Sequence, residues 1–365
     1  SDVCSSDLWQ RKYVKTTTVY DEVLKAGGKV AAFLWPVTAK SKITWNMPEI
    51  FANRPWGNQI CTSLYNGSVG FQALMQKKFG HLRKGKQQPF LDDFVTECVK
   101  YTLKKYAPDL TLVHLTDVDT HRHLYGTDSP EAREAISRHD RRLGEIFSLL
   151  DEQGMTESTN IIVLGDHYQK DTQKAVHMNY WFLQKGWLTA YANRLRQWQG
   201  YCKNCDGSAY VYIRKGFGYL KDSVRELLYE LAKDPDSGIE QVIEGRDAAA
   251  MGADAHCSFM LEARDGYYFL DSINGPGRSV DRMDGTLSAA KMLATHGYLP
   301  GKPGYQTVFM AKGPDVEENV VIPSMCLVDE GPTMASLLGG SLPDADGRAL
   351  TSILKSRLSG EGAAP

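Results

Sequence analysis

The sequence has no apolar run long enough to span a membrane and no recognisable signal peptide. The sequence also lacks a large excess of charge of either sign, because 42 basic and 44 acidic residues leave a formal net charge of −2. Without a basic surplus, nothing favours binding to a nucleic-acid polymer. The sequence contains no internal repeat and no low-complexity tract, so neither a solenoid nor a disordered chain is indicated.

The composition is that of an ordinary soluble globular chain, with 42% hydrophobic and 24% charged residues. A length of 365 residues allows one large α/β domain with an insertion, or two domains. The seven cysteines are an odd number, which favours a reducing, cytoplasmic compartment over a full disulfide framework. A chain that starts after its natural N-terminus would leave the question of a signal peptide open. The composition does not indicate an oligomeric state.

The first eight residues differ in character from the rest of the chain. Residues 1–8, SDVCSSDL, resemble the conceptual translation of a sequencing-library adapter. We therefore expect them to be non-native and to lie outside the fold, with the natural gene extending further upstream. The alternative is a genuine, slightly polar N-terminus.

The apolar run at residues 161–164 is followed closely by polar groups. It is typical of a short strand buried on both faces, and Asp166 and His167 stand at its carboxyl end. In open α/β sheets, ligands and chemistry collect at the carboxyl ends of strands. A carboxylate beside an imidazole at this position is a candidate metal-ligand pair. The structural alternative is a helix cap with a surface histidine.

A second apolar run, residues 110–115, leads into the same kind of side chains. Asp119 and His123 follow it four residues apart, so one helical turn would bring both to one side. Mixed carboxylate and imidazole ligands suit zinc or manganese better than magnesium or calcium, which prefer oxygen alone. Because two such groups follow two predicted strands, we expect a metal site rather than two isolated caps.

Capping signals predict two helices. Thr18, with Asp21 three residues later, predicts a capping box at the start of the first. Ser129 and Pro130 predict the start of a longer helix that ends before Gly154. Since this longer helix connects the two predicted strands by short links, it indicates a parallel sheet.

The pattern of predicted secondary structure changes after residue 170. Residues 171–290 combine short strand patterns with a helix and several turns, and we predict that they form an inserted α+β cap. Residues 9–170 and 291–357 are predicted to form the α/β core, and residues 358–365 a frayed tail.

Three segments match a known family in order and spacing. Residues 115–126, LTDVDTHRHLYG, resemble the Asp-x-x-x-His-x-x-Gly signature of type I phosphodiesterases/nucleotide pyrophosphatases, which belong to the alkaline phosphatase superfamily. Residues 159–167, TNIIVLGDH, resemble that family's Asp-His-Gly block, and residues 295–298 with 306–314 resemble its third block. The resemblance covers about residues 16–357. It implies an alkaline-phosphatase-like α/β fold, with a mostly parallel sheet flanked by helices and an inserted cap.

The resemblance also implies a site for two divalent metals, usually zinc, with manganese as the alternative. By position, Asp119, His123 and His296 would hold one metal, and Asp166 and His167 would be half of the other. The remaining half in the family is an Asp together with a nucleophilic Thr or Ser at a helix N-terminus. The sequence contains neither in matching surroundings, so the second site is incomplete and we expect the nucleophile upstream.

The intact enzyme is thereby implied to be a metal-dependent hydrolase of phosphate esters. The most specific expectation is a phosphodiesterase/nucleotide pyrophosphatase with a covalent Thr/Ser intermediate, acting on a small phosphate ester or nucleotide. The present chain would bind one metal and turn over little or nothing. Thr16, Thr17 and Thr18 are the nearest hydroxyls, but they fit a helix cap better than a nucleophile. The alternatives are a phosphomonoesterase and a non-catalytic metal-binding remnant, and no substrate-binding residue is assigned.

Two residues depart from the family pattern beside the predicted ligands. The family usually has glycine where this sequence has Arg122, and again where it has Tyr168. Arg122 could pair with a phosphate oxygen, or with Asp117 or Asp128. Tyr168 could contact substrate or cover the edge of the sheet. The structural alternatives are favoured for both.

Other histidines and cysteines are left outside the predicted site. His121 is an alternative ligand to His123, but alignment through the glycine that follows favours His123. His139 lies on the long predicted helix and is expected in solvent. Cys202 and Cys205 form a Cys-x-x-Cys motif without a second pair at zinc-finger spacing. We predict a loop with two free thiols there, with a structural metal clip as the alternative.

Overall fold

The structure, a computed structural model, describes residues 9–52, 57–191, 194–272 and 292–355. The predicted non-native residues 1–8 and the predicted tail therefore lie outside the described residues. The chain forms two compact units. Among the described residues, the first unit takes in 9–118, 135–164 and 309–355, and the second takes in 119–134 and 165–308 with its gaps. The predicted division into core, inserted cap and tail stays a prediction.

The helices and strands follow the order expected of a mixed α/β chain. The helices are α1 (Val19–Lys25), α2 (Gln59–Asn66), α3 (Val69–Phe79), α4 (Phe90–Tyr106), α5 (Asp117–Tyr125), α6 (Pro130–Glu152), α7 (Met178–Gln184), α8 (Lys221–Lys233), α9 (Gly245–Ala250) and α10 (Glu330–Leu337). The strands are β1 (Val30–Phe33), β2 (Trp45–Met47), β3 (Leu110–Val113), β4 (Ile161–Leu164), β5 (Lys170–Val176), β6 (Leu188–Tyr191), β7 (Arg194–Trp198), β8 (Gly200–Cys205), β9 (Ser208–Ile213), β10 (Ile239–Glu244), β11 (Phe259–Ala263), β12 (Gly266–Phe269), β13 (Ala294–Thr295) and β14 (Phe309–Lys312).

The first unit contains a parallel sheet in the order β2-β1-β3. All four residues of β1 are buried, and successive side chains point to opposite faces. Ala31 and Phe33 pack into one hydrophobic cluster, whereas Val30 and Ala32 pack into another. The strand is thus covered on both sides, as expected for a parallel sheet between layers of helices.

Strand β4, which precedes Asp166, differs from the prediction. In the described part of the chain its partner is β14, which runs antiparallel to it, with Leu164 opposite Phe309. All four residues of β4 are half-buried rather than buried on both faces. A continuous apolar run does not distinguish a central strand from one near the edge of a sheet, because both have apolar side chains in partial contact with the core.

The capping prediction for α1 is confirmed. The Thr18 side chain accepts a hydrogen bond from the backbone N–H of Asp21, and the Asp21 carboxylate accepts one from the Thr18 N–H at 2.9 Å. Ser129 caps α6 by a single bond, in which its Oγ accepts the N–H of Ala132 at 3.1 Å. The interpretation of Thr18 as a helix cap is therefore correct.

The second unit is built on antiparallel strands. Its four-stranded sheet has the order β10-β11-β9-β8. A smaller sheet has the order β12-β5-β13, in which β12 runs parallel and β13 antiparallel to β5. Side chains from these strands and from α7 and α8 form one core, with Phe182, Val211, Leu228 and Phe259 all buried.

The Cys-x-x-Cys segment lies on strand β8, so the predicted loop is wrong there. Cys202 is buried, whereas Cys205 is exposed at the end of the strand. The two thiols are separate because residues three apart on a strand point to opposite faces. Both are free, as the prediction had it. None of the helices in the described residues is sufficiently long and apolar to cross a membrane.

Candidate metal centre

Helix α5 supplies Asp119 and His123. The two residues are one turn apart, and the turn brings His123 Nε2 to 3.2 Å from Asp119 Oδ1. The helix ends at Gly126, which has φ +96° and donates its N–H to the Arg122 carbonyl at 2.8 Å. Glycine fits this left-handed position at the end of a helix because it has no Cβ.

Strand β13 brings His296 towards His167. In the antiparallel pairing of β13 with β5, Thr295 lies opposite Lys170. The chain after Thr295 therefore runs back along the residues that precede Lys170. The ring centroids of His167 and His296 are 4.0 Å apart, and those of His123 and His296 are 5.1 Å apart.

The predicted ligands meet in one cluster within the second unit. Asp119, His167 and His296 each present one ligand atom, and these three atoms all lie within 4.8 Å of one another. His123 adjoins Asp119, and Asp166 Oδ2 lies 3.6 Å from His167 Nε2 on a carboxylate that is 66% exposed. The trio combines residues that the sequence assigned to different metals, so the division into two sites stays a prediction.

His123 is oriented by the backbone at the start of β13. Its Nδ1 lies 2.7 Å from the Ala294 carbonyl oxygen, and its own carbonyl accepts the N–H of Leu293 at 2.6 Å. A carbonyl oxygen can only accept, so Nδ1 carries the proton in this contact. The Nε2 atom is thereby turned towards the carboxylate of Asp119.

Gln169 is a site residue that the sequence did not reveal. Its side chain is 2% exposed, and its Nε2 donates to Asp119 Oδ1 at 2.6 Å and to the Asp119 carbonyl at 3.2 Å. The residue holds the carboxylate in one orientation. In the sequence, only its position two residues after His167 connects Gln169 with the site. No sequence pattern distinguishes a glutamine at this position from an ordinary strand residue.

The charges in the cluster are strongly coupled. Burial, reinforced by the neighbouring His167 ring, lowers the pKa of His296 to about 4, so this imidazole is neutral near pH 7. Burial also opposes the charge on His123, but hydrogen bonding to Asp119 outweighs it and raises the pKa of His123. Burial alone would raise the pKa of Asp119. Its histidine neighbours outweigh burial and hold that pKa below the usual value.

The hairpin between β8 and β9 borders His296. The Gly207 N–H donates to the His296 carbonyl at 2.8 Å. Gly297 has φ +80°, and a Cβ on it would lie 2.0 Å from the carbonyl oxygen of Cys205. Residue 297 must therefore be glycine for this contact to form. Asp206, at the tip of the hairpin, has a pKa raised by burial and interacts electrostatically with His123, and the sequence did not single it out.

The two departures from the family pattern contact each other. The guanidinium carbon of Arg122 lies 4.6 Å from the centroid of the Tyr168 ring. The sequence offered Asp117 and Asp128 as partners of Arg122, but Asp128 is bound by Arg133 at 2.8 Å, and Asp117 is bound by other arginines.

Two histidines were weighed as residues outside the site. His121 stacks on Tyr125, with ring centroids 5.9 Å apart, and lies outside the trio of ligand atoms. His139 was expected in solvent, and that prediction is wrong. It is half-buried on α6, its Nδ1 lies 3.2 Å from Arg142 Nη1, and burial lowers its pKa to about 4.

Solved structures share this fold. Human ectonucleotide pyrophosphatase/phosphodiesterase 5 superposes with a TM-score of 0.62 at 17% identity, over 96% of this chain and 77% of the human one. An inactive variant of the murine protein, solved in complex with AMP, gives 0.58 at 18% identity, over 91% and 73% of the two chains. The likeness confirms the predicted alkaline-phosphatase-type α/β fold.

The sequence comparisons define the family. The profile of the type I phosphodiesterase/nucleotide pyrophosphatase family matches residues 2–299, so the chain belongs to that family. Venom phosphodiesterase 2 of Crotalus adamanteus is 29% identical over 143 residues, which are 39% of this chain and 14% of the venom protein. The venom phosphodiesterase of Macrovipera lebetinus is 26% identical over 151 residues, again 14% of its length. The chain thus matches a small part of these venom relatives.

Proposed function

We propose that this protein is a metal-dependent hydrolase of phosphate esters, and that its full-length form is a phosphodiesterase/nucleotide pyrophosphatase. In that form it would use two metals and a covalent Thr or Ser intermediate. The observation that carries the proposal is the convergence of Asp119, His167 and His296, whose ligand atoms lie within 4.8 Å of one another in a chain of this family.

The donor atoms fit a zinc ion. One carboxylate oxygen and two imidazole nitrogens are a mixed set that zinc accepts, with manganese as the alternative. The three ligand atoms all lie within 4.8 Å of one another, which makes them candidate ligands of a single ion. The family resemblance implies a different division, in which Asp119, His123 and His296 would hold one metal, and Asp166 and His167 would contribute to a second. Bound there, a divalent cation would act as a Lewis acid on a phosphoryl oxygen.

The surrounding residues support metal binding through orientation. The Ala294 carbonyl fixes the proton of His123 on Nδ1, which turns Nε2 towards Asp119. Gln169 donates to Asp119 Oδ1 and thereby limits rotation of the carboxylate. Such partners behind the ligands commonly change metal affinity by about 10- to 100-fold when removed.

We further propose a nucleotide as substrate. The murine relative binds AMP in its inactive form, and the present chain has the same fold. The alternative is a metal-binding protein without catalysis, which is favoured by one feature of the sequence: no Thr or Ser stands in surroundings that match the family's nucleophile. A phosphomonoesterase would need the same metals and is distinguished by substrate alone.

Zinc binding tests the proposal directly. The chain is stripped with EDTA, and zinc is then titrated while calorimetry and thermal unfolding are recorded. We expect saturable binding and a rise in melting temperature, because a ligand bound to the folded state at 100 times its Kd adds about 2.7 kcal/mol of stability. His296→Ala should abolish both effects, while His256→Ala, at an exposed histidine of the same unit, should change neither. Equal zinc binding by both variants would refute the site.

Hydrolysis separates the enzyme from the metal-binding remnant. The zinc-loaded chain of 365 residues is expected to turn over bis(p-nitrophenyl) phosphate slowly or not at all. Robust turnover that disappears in Asp166→Ala would contradict the predicted inactivity and would establish the hydrolase. A longer product of the same gene that carries a Thr or Ser nucleophile should restore turnover, and failure to do so would favour the remnant.

A further inference from the structure

Gln169 has a buried amide group of which only the nitrogen is bonded. The side chain is 2% exposed, and Nε2 donates to two oxygens of one residue, Asp119 Oδ1 at 2.6 Å and the Asp119 carbonyl at 3.2 Å. The Oε1 atom is also buried, and it accepts no hydrogen bond from the part of the chain that the structure describes. Burying a carbonyl oxygen without a partner is unfavourable, and most such atoms in folded proteins have one. The unbonded oxygen therefore points to a bound group.

The two acceptors on Asp119 determine which way the amide faces. A backbone carbonyl oxygen can only accept a hydrogen bond, and so can an ionised carboxylate. Burial opposes ionisation of Asp119, but its histidine neighbours outweigh burial and hold its pKa below the usual value. If the amide were turned over, Oε1 would face two oxygens with no hydrogen between them. The nitrogen must therefore face Asp119, which leaves the oxygen as the unbonded end.

This oxygen lies beside the cluster of candidate ligands. The two polar atoms of the amide share one carbon, with bonds of about 1.2 and 1.3 Å, so Oε1 is within about 5 Å of Asp119 Oδ1. That Oδ1 atom is 3.2 Å from His123 Nε2. Asp119 also offers one of the three ligand atoms that lie within 4.8 Å of one another. A cation held by Asp119 would thus have Gln169 Oε1 as a close neighbour.

We propose that Gln169 Oε1 is a further ligand of the cation bound by Asp119, His167 and His296, and that it moves the metal preference of the site towards manganese. The inference rests on the proposed function. Zinc is satisfied by four ligands, most often nitrogen and sulfur, whereas manganese favours carboxylate, carbonyl and water oxygens in sites of up to six ligands. With Gln169 the site offers two oxygens and two nitrogens, so the amide doubles the number of oxygen donors.

An amide fits this position better than a second carboxylate in the absence of metal. A glutamate at residue 169 would place an oxygen against Asp119 Oδ1, and two like charges at that distance repel each other. Glutamine avoids the repulsion because its N–H donates to Asp119 while its oxygen stays available. The nitrogen and the oxygen thus have different tasks, and substitutions can separate them.

The test compares two substitutions at residue 169. Gln169→Met removes both polar atoms and keeps a side chain of similar length, whereas Gln169→Glu keeps an oxygen and removes the N–H donor. Equilibrium dialysis on EDTA-treated chains measures the dissociation constants of manganese and of zinc. We expect Gln169→Met to weaken manganese binding by about 10- to 100-fold and zinc binding by less. Gln169→Glu should bind manganese at least as tightly as the unmodified chain, with an equal or greater preference for manganese over zinc.

The ratio of the two affinities distinguishes a ligand from an orienting residue. If Gln169 acts only through its N–H, both variants lose the same bond to Asp119 and should weaken both metals by the same factor. A general gain in negative charge would raise both affinities of Gln169→Glu equally. An unchanged ratio in both variants therefore refutes the ligand role and leaves the proposed function standing.

Two further measurements complete the test. Gln197→Met and Gln197→Glu, at an exposed glutamine on β7 of the same unit, are the matched controls and should bind both metals as the unmodified chain does. If Gln169→Met fails to fold, Gln169→Glu decides alone, because a lower preference for manganese than in the unmodified chain would refute the inference. If the unmodified chain binds neither metal, the proposed function fails and the inference fails with it.

Discussion

Helix α5 carries two aspartates, two residues apart, in opposite chemical situations. The side chain of Asp117 is completely buried and accepts two hydrogen bonds from Arg138, both at 2.8 Å, and one from Arg142 at 2.9 Å. The side chain of Asp119 is 37% exposed, accepts a hydrogen bond from the amide of Gln169 at 2.6 Å, and lies 3.2 Å from His123 Nε2. One carboxylate is neutralised by permanent cations, whereas the other is surrounded by groups that can be neutral.

The difference separates a structural charge cluster from a binding site. Burial alone would raise the pKa of Asp117, but its two arginines outweigh burial and hold the pKa below the usual value. Around Asp119 the nearest titratable groups are imidazoles: Asp119 raises the pKa of His123, whereas His296, with a pKa of about 4, is uncharged at pH 7. In the first cluster, arginines permanently balance the charge of Asp117. In the second cluster, the imidazoles can be neutral, so the carboxylate of Asp119 can bind a cation. The comparison predicts that substitutions at the two aspartates have different consequences.

The largest expected effect is at Asp117. Asp117→Asn removes the negative charge between two arginines, of which Arg142 is 2% exposed. Breaking a buried ion pair from one side costs about 3–5 kcal/mol. Because Arg142 keeps its contact with Asp93 at 2.7 Å, we expect a loss near the lower end of that range. Urea unfolding should show this loss with an unchanged slope.

The matched control for Asp117 is Asp128→Asn. Asp128 also pairs with an arginine, Arg133 at 2.8 Å, but both side chains are largely exposed. We expect no measurable change in stability, because solvent screens such pairs. Equal losses in the two variants would remove the distinction between a buried and a surface charge cluster.

A smaller effect, with a definite pH dependence, is expected at Asp92. This carboxylate is buried and accepts the N–H of Asp117 at 2.8 Å, and burial raises its pKa from 3.8 to about 6. The folded protein therefore keeps this proton between about pH 4 and 6, where the unfolded chain has lost it. Stability from this group is present below about pH 4 and is lost as the pH rises through 6.

The measurement isolates Asp92 by difference. Urea unfolding of the unmodified chain and of Asp92→Asn is recorded from pH 4 to 7.5. The stability of the unmodified chain relative to the variant should fall across this range by at most about 3 kcal/mol, at about 1.4 kcal/mol for each pKa unit. A difference that rises with pH would mean that the charged form is the favoured one.

The smallest effect on stability is expected at Asp119. Asp119→Asn, measured without metal, should change the free energy of unfolding by less than about 1 kcal/mol, because the site is partly exposed and the asparagine Oδ1 can still accept from Gln169. Zinc binding should nevertheless be lost, since an amide is a much weaker ligand than a carboxylate. A loss of stability as large as that at Asp117 would indicate that the metal cluster is structural.

Local signals in the sequence predicted the parts of the fold that depend on neighbouring residues. The Thr18 and Asp21 capping box depends on residues three positions apart, and it forms as predicted. The spacing of Asp119 and His123 likewise follows from one helical turn. His296 could be named from the family resemblance, because no local pattern connects it to residues more than 120 positions earlier.

Contacts between distant segments could not be predicted. Gln169 reaches Asp119 across 50 residues, and Arg122 meets Tyr168 across a similar interval. His139 has the spacing of a solvent-facing helical residue, but it packs beside Arg142. In each case the side chain is determined by what the folded chain places opposite it, and helical or strand periodicity carries no information about that partner.

The contact between Gly297 and Cys205 has a consequence for how the site can vary. The main chain after His296 approaches the carbonyl of Cys205 so closely that even a methyl group would collide with it. No side chain separates the two segments, so none can be enlarged or trimmed to adjust their distance. An insertion in the turn after Cys205 would therefore shift the imidazole of His296 even if every ligand residue were retained.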